Sequence, residues 1–458
     1  MSQGEFAEKA RQAALSAVER LDAVGGVLQD ELTFREKAAI FSHEYLMCCA
    51  YILSVTPSRY TYTKKLYSKL IGTSSLLEDL LDFHGAKNNR SWYYYRELCA
   101  AVRHLAKAAY ALKHIVNRLP FYELGDLTDF EREGAVTHEF LVNSLRKLAP
   151  AILDEARRLK LPIPKETYRV EDFPRISTPD LLESDIDDQE TGQKTRSIVR
   201  LATEFISVSK AFDDFGLEGP LKVEDIRRLV PEAVNEVEIR RFEMVVHNLQ
   251  STFDSYVIHG GFRDGNRRLK SLRGYFSVVL HLLELTGGLL HFYERHLHPV
   301  GMKSVYKKVR NQLSGQVDPE ALLDRTVNHG LLWACRFLEQ GRDLAQELLD
   351  ENLERGSVTV GVPETMGFHT RPSLLVAKVV QHYGGQVELV VGDSRFDAGS
   401  VLDIQWAGGK IKKENISQVV FTGDSRALVD LQVLASVNYG EDSMGRGIEL
   451  PKELDYLR

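Results

Sequence analysis

The chain has 458 residues, of which 43% are hydrophobic and 27% are charged, and its formal net charge is −7. This composition is typical of globular proteins, and the length predicts two or three domains. The negative charge argues against nucleic acid as the main partner.

Cysteine usage and hydropathy indicate a cytoplasmic protein that does not bind membranes. The cysteines Cys48, Cys49, Cys99 and Cys335 have neither disulfide nor metal-site spacing, which is typical of cytosolic chains. Residues 1–24 are charged and helical in pattern, without the apolar core of a signal peptide. No run of 18 uncharged apolar residues appears elsewhere.

Residues 5 to about 355 have an almost entirely helical pattern, because apolar residues recur at spacings of three and four. One segment interrupts this pattern, residues 161–195, which contains four prolines and then an acidic run. We therefore predict a helical bundle over 1–160, a proline-rich acidic linker over 161–195 and a second bundle over 196–355.

The two helical halves resemble each other. Placing Arg96 on Arg273 brings His104 onto His281 and His114 onto His291. Histidine is rare, with 14 in 458 residues, so these coincidences indicate a duplication. Repeated units of this kind usually stack and bury a shared face, which predicts two related antiparallel bundles of about four helices each.

The duplicated positions have two interpretations. They could form pockets for an anionic ligand or a phosphoryl group, lined by His104, His114, Arg96, His281, His291 and Arg273. Alternatively, the histidines satisfy buried backbone or hydroxyl partners between helices.

The same histidines do not have the spacing of a metal site. His104 and His114 are directed about 80° apart on one helix, unlike a chelating i, i+4 pair. No Glu-x-x-His or His-Glu-x-x-His signature occurs. The run from His291 to Pro299 is typical of a helix end, where cationic side chains suit the dipole. We therefore expect neither a metal site nor a cofactor.

The C-terminal region has a different pattern. An extended segment, Ser357–Val362, precedes a helical pattern that begins near His369, and two strands, a helix from about Ser400, a strand and a helix follow. This order, βαββαβα, predicts an α+β open-faced sandwich with one antiparallel sheet and helices on one face. We place this domain at residues 356–440 and a tail at 441–458.

His369 lies where a phosphoryl group could be accepted. A helix N-terminus favours an anion, Arg371 adds a fixed cation, and Pro372 suits the first helical turn. A neutral imidazole in this position is a nucleophile for phosphorus. The alternative is an ordinary helix start with an exposed histidine.

The run Gly367-Phe368-His369-Thr370-Arg371-Pro372, with Ser400 opening a second helix, resembles the histidine-containing phosphocarrier (HPr) family of the bacterial phosphotransferase system. The resemblance covers roughly Gly356 to Tyr439. It implies that His369 accepts phosphate through Nδ1 from an enzyme I-type donor, that Arg371 assists, and that Ser400 is a target for a regulatory kinase. The implied docking residues are Thr370, Leu374, Lys378, Val401 and Leu402.

Some residues depart from the family pattern. Met366 replaces a small polar residue, Asp403 adds a negative charge to the second helix, and Gln381 replaces a basic docking residue. A loop around Gly408-Gly409-Lys410 is predicted to be about two residues longer than usual. Ser400 is also explained by helix N-capping alone.

Three hypotheses follow. No catalytic constellation is recognisable, which favours a phosphoryl carrier or regulator over a stand-alone enzyme. The first hypothesis is a phosphocarrier fused to a helical sensing or docking module. The second is a regulatory adaptor whose small domain only docks, and the third is a helical ligand-binding protein that uses the duplicated histidines and arginines.

Overall fold

The computed structural model describes residues 32–175, 194–255, 267–298, 304–364, 366–384 and 386–457. Most of these residues are helical, and a small four-stranded antiparallel sheet lies near the C-terminus. The predicted combination of a helical N-terminal region and a C-terminal α+β region is confirmed at this level. The greater part of the predicted linker, residues 176–193, lies outside the described residues.

Eleven helices precede the first strand within the described part of the chain. They are α1 (Phe34–Ser54), α2 (Lys64–Phe83), α3 (Tyr93–Arg118), α4 (Thr128–Arg158), α5 (Lys194–Phe212), α6 (Val223–Leu229), α7 (Glu236–Phe253), α8 (Arg267–Phe292), α9 (Ser304–Gln316), α10 (Pro319–Asp324) and α11 (Leu332–Asn352). Two short π-helical segments extend them: Tyr293–Leu297 follows α8, and Arg325–Leu331 joins α10 to α11.

The C-terminal region contains the sheet and three more helices. They are β1 (Arg355–Gly361), α12 (Thr370–His382), β2 (Val387–Val391), β3 (Ser394–Asp397), α13 (Val401–Glu414), β4 (Gln418–Asp424) and α14 (Ser425–Ser436).

The chain divides into two compact units that are discontinuous in sequence. The first contains residues 1–183, 217–244 and 278–334, and the second contains residues 184–216, 245–277 and 335–458. The segment predicted as the second bundle, 196–355, is thus shared between the units. This division differs from the sequential boundaries proposed above because long helices such as α8 and α11 contribute residues to both units.

In the first unit, helices α1 to α4 pack against one another, and α1 contacts α4. Thr33 caps α1 and forms a reciprocal capping box with Glu36, which satisfies donors at the helix start. On α3, Ala101 and Ala108 are fully buried. Such small side chains allow neighbouring helices to approach α3 closely. Many residues of α3 belong to this core.

In the second unit, the sheet has the strand order β1-β4-β2-β3, and all neighbouring strands are antiparallel. Alternate residues of β2 are buried, as expected for a sheet with one face on the core. Gly423 on β4 has φ +153°, and a Cβ there would lie 2.1 Å from the carbonyl oxygen of Gln386, so only glycine fits this crossing. Helices α12, α13 and α14 contribute Val376, Ile404 and Leu431 to the core.

The segment after residue 440 packs on the domain. Leu454 and Leu457 are buried in the same core as the sheet, and Tyr456 stacks on His382 at 3.9 Å between ring centroids. The predicted loop at Gly408-Gly409-Lys410 is wrong, because these residues lie inside α13. A Cβ at Gly408 would lie 3.1 Å from the carbonyl oxygen of Phe368, so glycine there permits close packing beside the segment that carries His369.

Among the described residues, one helical stretch, Arg267–Leu297, is long and apolar enough to cross a membrane by length and composition. Its apolar window is 78% buried within the chain. Such burial is typical of core helices.

Candidate functional site

The backbone before α12 presents His369 at the helix N-terminus. Met366 and Gly367 both have left-handed backbone angles, with φ 57° and 64°. His369 is the N-cap residue with extended backbone, and its carbonyl accepts from the amide of Ser373. A left-handed methionine is a strained conformation of the kind that clusters at functional sites.

Glu441 contacts the imidazole of His369. Its Oε2 lies 3.0 Å from Nε2 of His369, and its side chain is only 1% exposed. An Nε2–H donated to this carboxyl leaves the lone pair of the ring on Nδ1. Nδ1 has no hydrogen-bond partner among the described residues, so it is free to act as a nucleophile.

A strained turn places Glu441 beside the histidine. The three preceding residues, Asn438, Tyr439 and Gly440, all have positive φ. The Asn438 side chain accepts from the amide of Glu364, and Tyr439 Oη donates to the carbonyl oxygen of Gly361 at 2.7 Å. These bonds join the turn to the segment that precedes His369. Sequence reasoning missed Glu441 because nothing in its local sequence links it to a site far earlier in the chain.

Arg371 is exposed and makes no hydrogen bond or ion pair with the described residues. Gly447 lies directly against it, since a Cβ at Gly447 would be 2.3 Å from Nη1 of Arg371. Gly447 also forms an antiparallel bridge with Glu441. Residues 441–447, here called the C-terminal hairpin, therefore contact both His369 and Arg371.

An apolar surface borders this site. Leu374 on α12 is 43% exposed and Leu402 on α13 is 54% exposed, whereas Val401 is half-buried. Trp406, one turn beyond Leu402, is 62% exposed and was not predicted as a docking residue, although its spacing from Leu402 places both on one helix face.

The other predicted docking residues have internal contacts. Thr370 Oγ1 accepts from Nε2 of Gln405 at 3.4 Å, and Nζ of Lys378 donates to the carbonyl oxygen of Leu457 at 3.2 Å. Ser400 is the N-cap of α13, and its Oγ accepts from the amide of Asp403 at 3.3 Å.

The duplicated histidines meet in two crosswise pairs. His104 on α3 stacks on His291 at the end of α8, with 4.1 Å between ring centroids and 19° between planes. The ring centroid of His114 on α3 lies 4.1 Å from that of His281 on α8. Histidines that are aligned in the repeat therefore do not contact each other. His104 instead contacts the counterpart of His114, and His114 contacts the counterpart of His104.

The histidines differ in their hydrogen bonds. Nζ of Lys64 donates to Nδ1 of His114 at 2.6 Å, and Glu284 accepts from Nδ1 of His281 at 2.7 Å. Burial and the neighbouring His281 lower the pKa of His114 to about 4. His104 is 3% exposed, and both of its ring nitrogens lack hydrogen-bond partners among the described residues. Burial, then the adjacent His291 and Arg103, lower the pKa of His104 well below its ordinary value.

The two predicted pocket arginines bind carboxylates of the protein instead of facing these rings. Arg96 is buried and pairs with Glu78, Asp82 and Glu97 at 2.7, 2.8 and 2.9 Å. Burial would lower the pKa of Arg96, but the three carboxylates raise it. In the second unit, Nε of Arg273 donates to Asp254 at 2.9 Å. Both guanidinium groups thus have carboxylate partners within the protein.

Comparison with known proteins gives no match to a family model, to a curated protein or to a solved structure.

Proposed function

We propose that the C-terminal domain is an HPr-like phosphocarrier or regulatory domain, and that His369 accepts a phosphoryl group on Nδ1. The observation that carries this proposal is the contact between Nε2 of His369 and the buried Glu441. A carboxylate that holds one ring nitrogen fixes the orientation of the ring and directs the other nitrogen outward, as the aspartate does in a Ser-His-Asp triad.

The transfer step is a nucleophilic displacement at phosphorus. The lone pair on Nδ1 of His369 forms the new N–P bond while the N–P bond of a phosphohistidine donor breaks and its electron pair returns to the donor ring. The proton on Nε2 stays with His369, and Glu441 offsets the positive charge that the ring acquires. No proton has to leave the site during the transfer.

The surroundings suit the bound phosphoryl group. The amides at the start of α12 point toward the helix N-terminus, where the helix dipole favours an anion. Arg371 lies two residues from His369 and has no carboxylate partner among the described residues, so its guanidinium can bind phosphate oxygens. Charge developing on the phosphoryl oxygens would therefore be stabilised by groups already in place.

The arrangement of the small domain supports the family resemblance. The element order from β1 to α14 is βαββαβα, with an antiparallel sheet in the order β1-β4-β2-β3. This order and this pairing are what we expect of the open-faced sandwich that the resemblance implies, and they support the proposal. The two related helical bundles also remain part of the proposal, with the helical region acting as the sensing or docking module.

The apolar surface beside His369 suits a partner protein. Leu374, Leu402 and Trp406 are exposed, and exposed apolar side chains that cluster near a reactive group mark interaction sites. We propose that this surface receives an enzyme I-type donor in the cytoplasm, and that phosphorylation of Ser400 would change docking there. A phosphate on Ser400 would remove the cap to Asp403 and add negative charge beside Leu402.

The test is phosphorylation of the purified full chain by enzyme I and phosphoenolpyruvate, with site mapping by mass spectrometry under conditions that preserve phosphohistidine. We expect label on His369, and its loss in His369→Ala. The matched control is His382→Ala, since His382 lies at the exposed end of the same helix. If no enzyme I-type donor labels His369 in a folded protein, the transfer role is wrong.

A second candidate function, the non-transferring adaptor, is favoured by one observation. The C-terminal hairpin contacts both His369 and Arg371, so a donor would have to reach a partly covered site. As an adaptor, the domain would bind its partner equally well in His369→Ala but lose binding in Leu402→Glu. A transferring carrier would instead show turnover that depends on His369.

A further inference from the structure

A third histidine joins the pair formed by His104 and His291. His296 lies in the π-helical segment after α8, and its ring centroid is 6.0 Å from that of His104 and 5.8 Å from that of His291. One ring nitrogen from each of the three histidines can be chosen so that all lie within 4.8 Å of one another. His104 and His296 are buried, and His291 is half-buried.

The π-helical segment is what brings His296 to this position. Residues five apart on a regular α-helix are directed about 140° away from each other. The wider π-helical turn, Tyr293–Leu297, changes this relation and directs His296 to the side of the helix that carries His291. Such turns occur frequently at functional sites.

Two carboxylates orient two of the rings. Glu236 Oε1 lies 2.7 Å from Nδ1 of His291, and Glu97 Oε2 lies 2.6 Å from Nδ1 of His296. Donation from Nδ1–H to a carboxylate leaves the lone pair of each ring on Nε2. Histidines that bind metals almost always donate their other ring nitrogen in this way, because the bond fixes the tautomer and makes the ligand more basic.

Both carboxylates are themselves held in place. Glu97 is buried and also pairs with Arg96 at 2.9 Å. Glu97 therefore lies between the guanidinium of Arg96 and the ring of His296, and its two oxygens contact one group each. Glu236 has only 6% of its side chain exposed, and its ion pairs with Arg240 and Arg295 hold it in place on α7.

His104 has no partner that explains its burial. A neutral imidazole has one N–H and one lone pair, and neither ring nitrogen of His104 finds a hydrogen bond among the described residues. A buried polar group left in this state destabilises the fold. The stacked contact with His291 gives the ring a neighbour but satisfies neither nitrogen. A metal ion bound to the lone pair of this ring would satisfy one of its two nitrogens.

We propose that His104, His291 and His296 bind a divalent first-row transition metal ion, with Zn²⁺ preferred, and that Glu236 and Glu97 orient two of the three ligands. Three neutral imidazoles suit Zn²⁺, which binds histidine nitrogens at about 2.0–2.1 Å. Tetrahedral coordination places such nitrogens about 3.4 Å apart, so the rings would rotate on metal binding from their present separations of up to 4.8 Å. Three protein ligands leave a fourth position for water or an anion, as in catalytic zinc sites.

The charges around the three rings are compatible with a bound cation. Glu97 and Glu236 contribute two carboxylates, one to each of two ligands. The nearby Arg103 is already paired with Glu78 at 2.6 Å. The site therefore places one carboxylate directly against each of two imidazoles, as is common at metal-binding histidines.

The other crosswise pair provides an internal control. His114 and His281 have the same 4.1 Å centroid separation but no third histidine, and His114 accepts from Nζ of Lys64. A lysine ammonium bonded to the ring occupies the nitrogen that a metal would need. This pair therefore lacks both the third histidine and the free ring nitrogen that the proposed site requires.

The experiment is metal analysis of the full chain, followed by removal of metal with a chelator and calorimetric titration with Zn²⁺. We expect about one zinc ion per chain and an increased melting temperature on reloading. Glu236→Gln should weaken zinc binding by about 10–100-fold, and His291→Gln and His296→Gln should weaken it more. His114→Gln should bind zinc like the wild type. Because this site lies in the helical region, the result does not depend on phosphorylation of His369.

Circular dichroism establishes that each variant is folded, and His296→Gln provides the test if His291→Gln fails to fold. Wild-type protein that binds none of Zn²⁺, Co²⁺, Ni²⁺ or Cu²⁺ would overturn the proposal. Zinc binding that survives His291→Gln and His296→Gln would also overturn it. A different result would be that inorganic phosphate stabilises the metal-free protein and that the same substitutions abolish this effect. That result would identify an anion pocket and contradict the metal proposal.

Discussion

Oε2 of Glu441 lies 3.0 Å from Nε2 of His369, although the two residues are 72 positions apart in the chain. Oε1 of the same carboxyl is buried and has no hydrogen-bond partner among the described residues. The contact holds Nε2 of the imidazole and leaves Nδ1 without a hydrogen-bond partner among the described residues.

We expect Glu441→Gln to slow phosphorylation of His369 by about 10–100-fold, by analogy with the loss that follows removal of the carboxylate partner of a metal-binding histidine. An amide can still contact Nε2 but carries no charge to offset the developing imidazolium. Rapid-quench measurement with a phosphorylated donor gives the rate. Glu453→Gln is the control, because Glu453 is exposed. Equal rates in Glu441→Gln and wild type would contradict a role for this carboxyl.

Removing the Ser400 hydroxyl should destabilise the start of α13. Oγ of Ser400 accepts from the amide of Asp403, and loss of such a cap costs about 1 kcal/mol. Hydrogen exchange at Asp403 should therefore become faster in Ser400→Ala. In Ser436→Ala, where the hydroxyl bonds to a carbonyl in an exposed final turn, exchange at Asp403 should not change. Unchanged protection in Ser400→Ala would show that the cap is not formed in solution.

Arg96→Met should be strongly destabilising. The substitution leaves Glu78 and Glu97 buried without their shared cation, and breaking a buried pair in this way costs about 3–5 kcal/mol. The free energy of unfolding from denaturant titration measures the loss. Arg132→Met removes an ion pair in which both side chains are 66% exposed, so its effect should be within about 1 kcal/mol. Similar losses of unfolding free energy in the two variants would mean that the buried network stabilises the protein no more than an exposed ion pair does.

His329 should make the protein less stable in acid. It is fully buried, and burial followed by the nearby Arg325 lowers its pKa from 6.5 to about 3. Below pH 6.5 the unfolded chain binds a proton that the folded chain excludes until about pH 3, so stability falls over this window as the pH falls. At pH 5 this loss is about 2 kcal/mol.

The variant His329→Leu removes that acid-dependent loss. We therefore expect the unfolding free energy of His329→Leu minus that of wild type to increase as the pH is lowered from 7.5 to 5. Denaturant titration at each pH measures this difference. His43→Leu, at an exposed position, should leave the pH dependence unchanged. A parallel pH dependence in wild type and His329→Leu would show that His329 is protonated in the folded state.

Gly341→Ala should destabilise the second unit. A Cβ at this position of α11 would lie 2.3 Å from the ring of Phe205, which is fully buried. Forcing a methyl group into such a core costs about 1–3 kcal/mol. Gly72→Ala on α2 meets nothing within 4 Å and should stabilise its helix by up to about 1 kcal/mol. Thermal unfolding should shift in opposite directions for the two variants.

The helical region and the C-terminal α+β region were predictable because each pattern is local. Spacings of three and four apolar residues produce a helix wherever a core is available, and alternation produces a strand. The start of α12 beside His369 was predictable for the same reason, since Pro372 fixes a backbone angle suited to a first helical turn. In contrast, Gly408 and Gly409 suggested a loop but lie inside a helix, where Gly408 packs against Phe368.

The sequence by itself determined that histidines recur at matching positions on two helices, that a histidine opens a late helix, and that an arginine follows it. Only the tertiary structure decided that His104 meets His291 instead of its repeat counterpart, that a π-helical turn adds His296, and that Glu441 reaches His369. The physical reason is that helix formation depends on neighbours within one turn. Contacts between distant side chains depend on how whole elements cross and on where the backbone departs from regular geometry.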